Sequence, residues 1–395
     1  MKRIIFILLV VITACSGTSE KKYTVVCFYF GNYHFGESKN EAKYGPNWNE
    51  WELVKNARPR FKGHNQPHVP LWGYTNEADS MVMEMKINAA ADHGIDVWFF
   101  DWYWFHGTFL NSALDKGYLK ANNNNKVKFA LMWANQDWLD MFPKHVGKPA
   151  QLMYPGAVDM PLWDSITTFV IENYFKHPSY WKINGCPVFS IYDMHKFVED
   201  FGSPEKAKEA IDRFREKVVK AGFKGLNLNS VIWDVNMMPN EKQFSNTSEK
   251  LKYFGFESST SYVWVHHIWL NTFPATPYDS VRTEYMKFAE KTVKDISIPY
   301  WPNVTMGWDP SPRCCQDDSF VNDGYPCMAT IKGNTPDEFE KSLVLMKEFL
   351  DSHPQCNNTF TINCWNEWTE GSYLEPDRKN GYQYLDALKK IFGKK

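Results

Sequence analysis

Thr359-Phe360-Thr361-Ile362-Asn363-Cys364-Trp365-Asn366-Glu367-Trp368-Thr369-Glu370-Gly371 runs from a short β-branched and aromatic stretch straight into two glutamates three residues apart. A run of that length and composition, ended abruptly by polar residues and glycine, reads as a buried strand. Working upstream, the same kind of run recurs at Tyr300–Gly307, Glu257–Tyr262, Leu226–Trp233, Pro187–Tyr192, Lys128–Trp133, Ile95–Asp101 and Thr24–Phe30. Between them, apolar residues three or four apart predict helices at Asp79–His93, Pro204–Ala221, Asp279–Asp295 and Thr335–Ser352. Ser203-Pro204 and Thr335-Pro336 put a capping hydroxyl before a proline at the first helical position, and Gly94 and Gly222 supply stops. Strands alternating with helices imply parallel strands joined by crossovers. Eight such units predict an α/β chain folded as a (β/α)8 TIM barrel with enlarged βα loops, one domain over residues 23–395. A doubly wound sheet competes, but it calls for a Gly-rich phosphate turn after the first strand, which the sequence lacks.

Ahead of the first strand, Met1-Lys2-Arg3 leads into the apolar run Ile4–Ile12 and then Thr13-Ala14-Cys15. A basic head, an apolar stretch too short to persist as a membrane span and small residues before a cysteine resemble a bacterial lipoprotein signal. Residues 1–15 are expected to be that signal, with cleavage before Cys15 and lipid on its thiol. Residues 16–22 are then a tether. The expected location is that of an exported lipoprotein, periplasmic or anchored at the outer membrane. Activated sugar donors are cytoplasmic, so export favours hydrolases and binding proteins.

Lys and Arg number 44 against 46 Asp and Glu, a formal charge of -2, so no basic footprint for nucleic acid exists. Aromatics reach 16%, with 17 Trp, and flat rings with a polar edge suit sugar faces. Of eight cysteines, Cys27, Cys186 and Cys364 lie in strand-like runs and read as buried thiols. Cys314, Cys315, Cys327 and Cys356 lie in polar stretches, and a disulfide from Cys314 or Cys315 to Cys327 fits an exported protein. No cysteine or histidine spacing suggests zinc, and Asp317–Gly324 fails the alternating calcium-loop pattern. No metal or cofactor is expected, and the protein is expected to be a monomer.

Barrel chemistry sits at the C-terminal ends of the strands. Those ends carry Tyr33 and His34, then Asp101, Trp102 and Tyr103, then Asn135, Asp193, Trp233 and Tyr262. The seventh and eighth supply Trp308, Asp309 and Arg313, and Trp365, Asn366 and Tyr373. Rings to stack on a sugar, with acids and amides for its hydroxyls, recur around one rim. His64 and His68, in a loop broken by Pro67, are expected to fold over that rim and bond substrate hydroxyls. Glycosidic cleavage commonly uses two carboxyl groups, one protonated and one ionised. Like charges held close push their pKa values apart and create that division. Glu367 and Glu370 are the candidate pair; their other reading is as acids at a helix N-terminus.

The stretch Asn366-Glu367-Trp368-Thr369-Glu370-Gly371 with Ser372-Tyr373-Leu374-Glu375-Pro376 resembles the glutamate motif of glycoside hydrolase family 99, the endo-α-mannosidases, and of the related WbsX-like proteins. Likeness to the WbsX-like group extends to Trp48–Trp51, Ala57–Pro70, Gly94–Tyr103, Gly307–Arg313 and Glu375–Tyr382, and so spans nearly the whole mature chain. The resemblance implies a (β/α)8 barrel and no cofactor. It implies Glu370 as the acid that protonates the leaving oxygen. Glu367 would be the base for the sugar's own 2-hydroxyl, which attacks the anomeric carbon and gives a 1,2-anhydro intermediate with net retention. Such chemistry needs a 2-hydroxyl trans to the leaving group, as in α-mannosides and α-L-rhamnosides. Thr369 departs from the pattern, standing where the mannosidases carry histidine. The expectation is a retaining hydrolase of a polysaccharide or oligosaccharide. A WbsX-type glycosyltransferase and a non-catalytic glycan-binding lipoprotein are the alternatives.

Overall fold

The computed structural model describes residues 22–238 and 241–393. The expected leader, the expected lipidation site at Cys15 and all of the expected tether except Lys22 lie outside the described residues. Strands form at all eight expected runs: β1 (Thr24–Tyr29), β2 (Val97–Trp104), β3 (Lys128–Trp133), β4 (Cys186–Ile191), β5 (Asn227–Val231), β6 (Ser258–Thr260), β7 and β8 (Thr359–Asn363). β7 comes in two pieces, Tyr300–Trp301 and Asn303–Thr305. Pro302 separates them because it has no N–H to give to a ladder. The first piece pairs with β6 and the second with β8. Pro302 still accepts from the Thr361 N–H at 2.8 Å. β8 returns to β1 through Thr24–Cys27, so the parallel ladder closes into a barrel.

The crossover helices are α1 (Ser80–Asp92), α2 (Met160–Val170), α3 (Pro204–Lys220), α4 (Thr247–Phe254), α5 (Tyr278–Asp295) and α6 (Pro336–Ser352), and α7 (Gln383–Phe392) follows β8. Asp79, Ser203 and Thr335 cap α1, α3 and α6 by accepting from the backbone N–H of Met81, Lys206 and Glu338. The β2–β3 crossover is the exception: Ala113–Gly117 forms a π-turn and Tyr118–Lys120 a 3-10 turn.

Period-two alternation sorts the aromatics into two shells. Phe28 stacks on Phe99 at 5.6 Å and packs against Tyr262 at 4.6 Å. The adjacent residue Trp98 packs the other way, against Trp365 at 5.2 Å and Tyr118 at 6.0 Å. Cys27 and Cys364 are buried thiols as expected, while Cys186 is only partly buried. Cys356, read as a loop residue, is buried at the end of α6. Cys314 and Cys327 form the disulfide, with Cα atoms 5.6 Å apart. Among the described residues no helix is long and apolar enough to cross a membrane.

Candidate active site

A cavity of about 690 Å³, its open mouth included, sits at the C-terminal ends of the strands. Glu367 and Glu370 both line it, with Asp101 and Tyr103 from β2, Tyr262 after β6, and Trp308 and Arg313 after β7. Asp101 and Tyr103 are two residues apart on one strand, so alternation turns both inward. Glu367 and Glu370 reach the same space because the chain turns tightly over Trp368–Glu370 and reverses at Gly371, whose φ is +61°. A Cβ at Gly371 would lie 2.8 Å from that of Asp309, so only glycine lets the two loops meet there.

Arg313 organises the carboxyl groups. Its Nη1 donates to Glu370 Oε1 at 2.5 Å, and its Nη2 donates to Glu50 Oε2 at 3.0 Å and Glu367 Oε1 at 3.3 Å. Nη1 also meets the Tyr325 hydroxyl, which in turn donates to Glu370 Oε1 at 2.5 Å. Glu50 is fully satisfied: Asn32 donates to its Oε1 at 3.0 Å, and Thr369 donates to its Oε2. The Phe30 and Phe142 rings flank the guanidinium, each 5.4 Å from its carbon. On the other side, the Tyr262 hydroxyl lies 2.8 Å from both Asp101 Oδ2 and Glu367 Oε2.

Three carboxyl groups thus bond one guanidinium, and Asp101 joins them through Tyr262, all four of them buried. Ionising all four would leave three uncompensated charges, so the cluster retains protons. Burial, and then the Glu370 charge, push Glu367 up to about 8. Burial raises Glu370 too, against the pull of Arg313 and Tyr325. Because these carboxyls hold protons more tightly folded than unfolded, their contribution is complete below the ordinary value of 4.5 and is lost as pH rises towards 8. Replacing Glu367 or Glu370 with Gln removes one such group. Either variant is therefore expected to gain thermal stability relative to the parent, with the gain widening from pH 5 to pH 8 in melting curves.

Only part of the rim predicted from sequence faces this cavity. Trp102 points outward beside Trp104 at 5.6 Å, as the residue between two inward ones must. Trp365 packs against Trp98, and Trp233 against Tyr192 at 5.0 Å. Tyr33 is buried under Trp51 and bonded to Thr369, while His34 Nδ1 faces the Phe35 carbonyl. Asn135 bonds the Asp193 backbone, and Asp193 caps the helix Met194–Phe201. Asn366 clips the eighth-strand loop to Phe30, accepting from its N–H and donating to its carbonyl.

His64, His68, Asp309 and Tyr373 line a neighbouring cleft, with Trp308 in the shared wall. There His64 Nε2 lies 2.6 Å from Asp309, which His64, Ser311 and Gln66 hold down to about 2 despite its burial. Tyr325, Glu50, Trp138 and His266 escaped the sequence reading, although all but Glu50 line the main cavity. Glu50 could have been suspected from its place between Asn49 and Trp51 in the motif-like stretch; nothing local marks Tyr325.

Beneath the cavity, fully buried Lys86 on α1 makes ion pairs of 2.6 Å with Glu77 and with Glu375. Glu77 accepts from Asn366, and Glu375 accepts from Trp368 Nε1 at 2.8 Å. This polar plug holds the chain on both sides of Glu367. Lys86→Met would leave two buried carboxyls unpaired and is expected to cost about 3–5 kcal/mol in chemical denaturation.

The Cys314–Cys327 disulfide closes a loop whose ends place Arg313 and Tyr325 on the same Glu370 oxygen. Cys327→Ser is expected to lower stability by about 2–4 kcal/mol. Turnover should fall with it, and reductant should reproduce both effects in the parent.

Among the described residues, one group offers three clustered metal-binding atoms: His145, Cys315 and Asp318, within 4.8 Å of one another. None of the three lines the carboxylate cavity, and Asp318 Oδ2 already accepts from the Val146 N–H.

A family model described as Glycosyltransferase WbsX matches residues 25–388. A curated relative, the uncharacterized protein WxcX of Xanthomonas campestris pv. campestris (strain B100), is 25% identical over 378 residues, covering 93% of this chain and 49% of its own. The chain therefore spans about half the length of the curated relatives it matches. Among solved structures, the family 99 endo-α-mannosidase of Bacteroides thetaiotaomicron superposes with a TM-score of 0.52 at 12% identity, covering 92% of this chain and 94% of that one. A protein described as glycoside hydrolase-like gives 0.52 at 14% identity, covering 94% of each. These likenesses bear out the barrel.

Proposed function

We propose, from the premise that this chain belongs to the Glycosyltransferase WbsX family, that it nonetheless hydrolyses glycosidic bonds with retention. The substrates are polysaccharide or oligosaccharide linkages of the α-mannoside or α-L-rhamnoside kind. The observation that carries this reading is the pair Glu367 and Glu370, buried, facing one cavity, both bonded by Arg313 and each by a different tyrosine.

Glu370 uses Oε1 to accept from Arg313 and Tyr325, which leaves Oε2 to carry a proton towards a leaving oxygen. A proton on Glu370 also removes the charge that is the second cause of Glu367's raised pKa. Glu367, paired with Arg313 and accepting from Tyr262, is then the base for the sugar's 2-hydroxyl. The hydroxyl oxygen attacks the anomeric carbon as the leaving oxygen takes the proton of Glu370. Water opens the 1,2-anhydro intermediate in the second step, losing its proton to Glu370 while Glu367 returns one to the 2-oxygen. Tyr103, Trp308 and Trp138 offer rings to the sugar faces.

Transfer from a nucleotide sugar is the reading the family's description would suggest. The cavity argues against it, because Arg313, the one Lys or Arg among its lining residues, is already paired with Glu50, Glu367 and Glu370 and leaves no free cation for a diphosphate. Export through a lipid on Cys15 is proposed with this function. The test is a panel of α-mannosidic and α-L-rhamnosidic glycans with and without nucleotide-sugar donors. Sugar released without a donor supports hydrolysis; turnover only when a donor is present contradicts it.

A further inference from the structure

Tyr262 has one hydroxyl hydrogen, yet its oxygen lies 2.8 Å from two carboxylate oxygens, Asp101 Oδ2 and Glu367 Oε2. Both contacts are hydrogen bonds only if one carboxyl group brings a proton of its own. Two ionised carboxylates would leave one oxygen against the lone pairs of Tyr262, buried and without a donor.

Which of the two holds the proton follows from their other partners. Glu367 has a second donor, Arg313 Nη2, on its remaining oxygen. Asp101 has none: its Oδ1 is buried and unpartnered. A charge on Asp101 would therefore rest partly on an oxygen that nothing compensates, whereas a neutral Asp101 leaves only a carbonyl there.

The geometry assigns Asp101 as a permanently protonated positioning residue, which donates to Tyr262 and so commits the single Tyr262 hydrogen to Glu367. This rests on the role of Glu367 proposed above. It differs from a charged Asp101 that binds sugar hydroxyls directly. The device aims the Tyr262 hydrogen at Glu367 and supports its ionised form when it acts as base, without adding a second negative charge beside it. No net proton transfer is needed in the resting state; Asp101 keeps its proton through the cycle.

The other titratable groups around the pair are consistent with a neutral Asp101. Tyr103 on the same strand, Cys27 on β1 and Cys364 after β8 are all raised by burial and stay uncharged. His266, whose ring lies 5.8 Å from that of Tyr262, is pushed down to about 3 by burial and stays neutral. Glu370 and Glu50 are paired with Arg313, the one cation in the cluster.

Two measurements test the assignment. The first needs no activity: infrared difference spectra of the parent against Asp101→Asn at pH 7. Loss of a protonated carboxyl C=O band is expected; loss of an ionised carboxylate band would overturn the assignment. The second uses the pH profile of kcat/KM. Asn can donate to Tyr262 as the protonated acid does, so Asp101→Asn should keep the acid limb of the parent and exceed Asp101→Ala in kcat/KM by about tenfold or more. If Asp101 were ionised, Asn would remove a neighbouring charge and shift the acid limb to lower pH by about one unit or more. A parent without hydrolytic activity would sink the proposed function but leave the infrared result standing. An active parent with a shifted limb in Asp101→Asn would sink only the present inference.

Discussion

Glu370→Gln is expected to lower kcat/KM on unactivated glycosides by about 10²–10⁴-fold, the usual worth of a positioned proton donor. The fold should survive, because Gln keeps an oxygen to accept from Arg313 and Tyr325. Leaving-group chemistry separates this loss from simple misfolding. An aryl glycoside needs little protonation to depart, so the variant should recover most of the first step on such a substrate. Glu367→Gln should be slow on both substrates, since the 2-hydroxyl must lose its proton whatever leaves. Equal losses for the two variants on both substrates would count against the assigned roles. Burst kinetics with the aryl substrate give the cleanest reading, because the second step still needs Glu370.

Arg313→Met should have the second large effect, and it should be a stability effect first. Arg313 is 4% exposed and bonds Glu50, Glu367, Glu370 and Tyr325. Removing it leaves several buried acids with no cation, which costs about 3–5 kcal/mol where one partner of a buried pair is deleted. The sign with pH is fixed by the acids. They protonate as pH falls, so the deficit should shrink from pH 8 towards pH 5. A deficit that stays constant across that range would mean that Arg313 contributes mainly by packing between Phe30 and Phe142.

The barrel was legible because its strands are short β-branched and aromatic runs punctuated by helix caps and glycines. Thr335, Ser203 and Asp79 cap the helices that their spacing announces. Less legible was the split of β7, although Pro302 marks it: a proline inside a strand signals a broken ladder. The glutamate pair was legible from its spacing after the last strand, and Arg313 from its nearness to the seventh.

What failed was the treatment of every polar or aromatic strand end as facing one cavity. Trp102 lies between Asp101 and Tyr103, and period two alone places it outside. Asn366 and Asp193 look like sugar ligands in sequence, but their hydrogen bonds are spent on the loops that carry the site. Glu50 stands in a motif-like stretch but its contact with Arg313 was not legible, and nothing marked Tyr325, because each meets Arg313 only through long loops. Thr369, the one departure from the mannosidase-like motif, donates to Glu50 and thereby supports the guanidinium. The departure is thus built into the cluster.

The most direct measurement is proton NMR of the products of an α-mannosidic or α-L-rhamnosidic glycan, using the chain without residues 1–15 beside Glu367→Gln and Glu370→Gln. The account predicts sugar released without any activated donor, appearing first as the α-anomer, and released by neither variant on the natural linkage. Initial appearance of the β-anomer, or release undiminished in both variants, would contradict it.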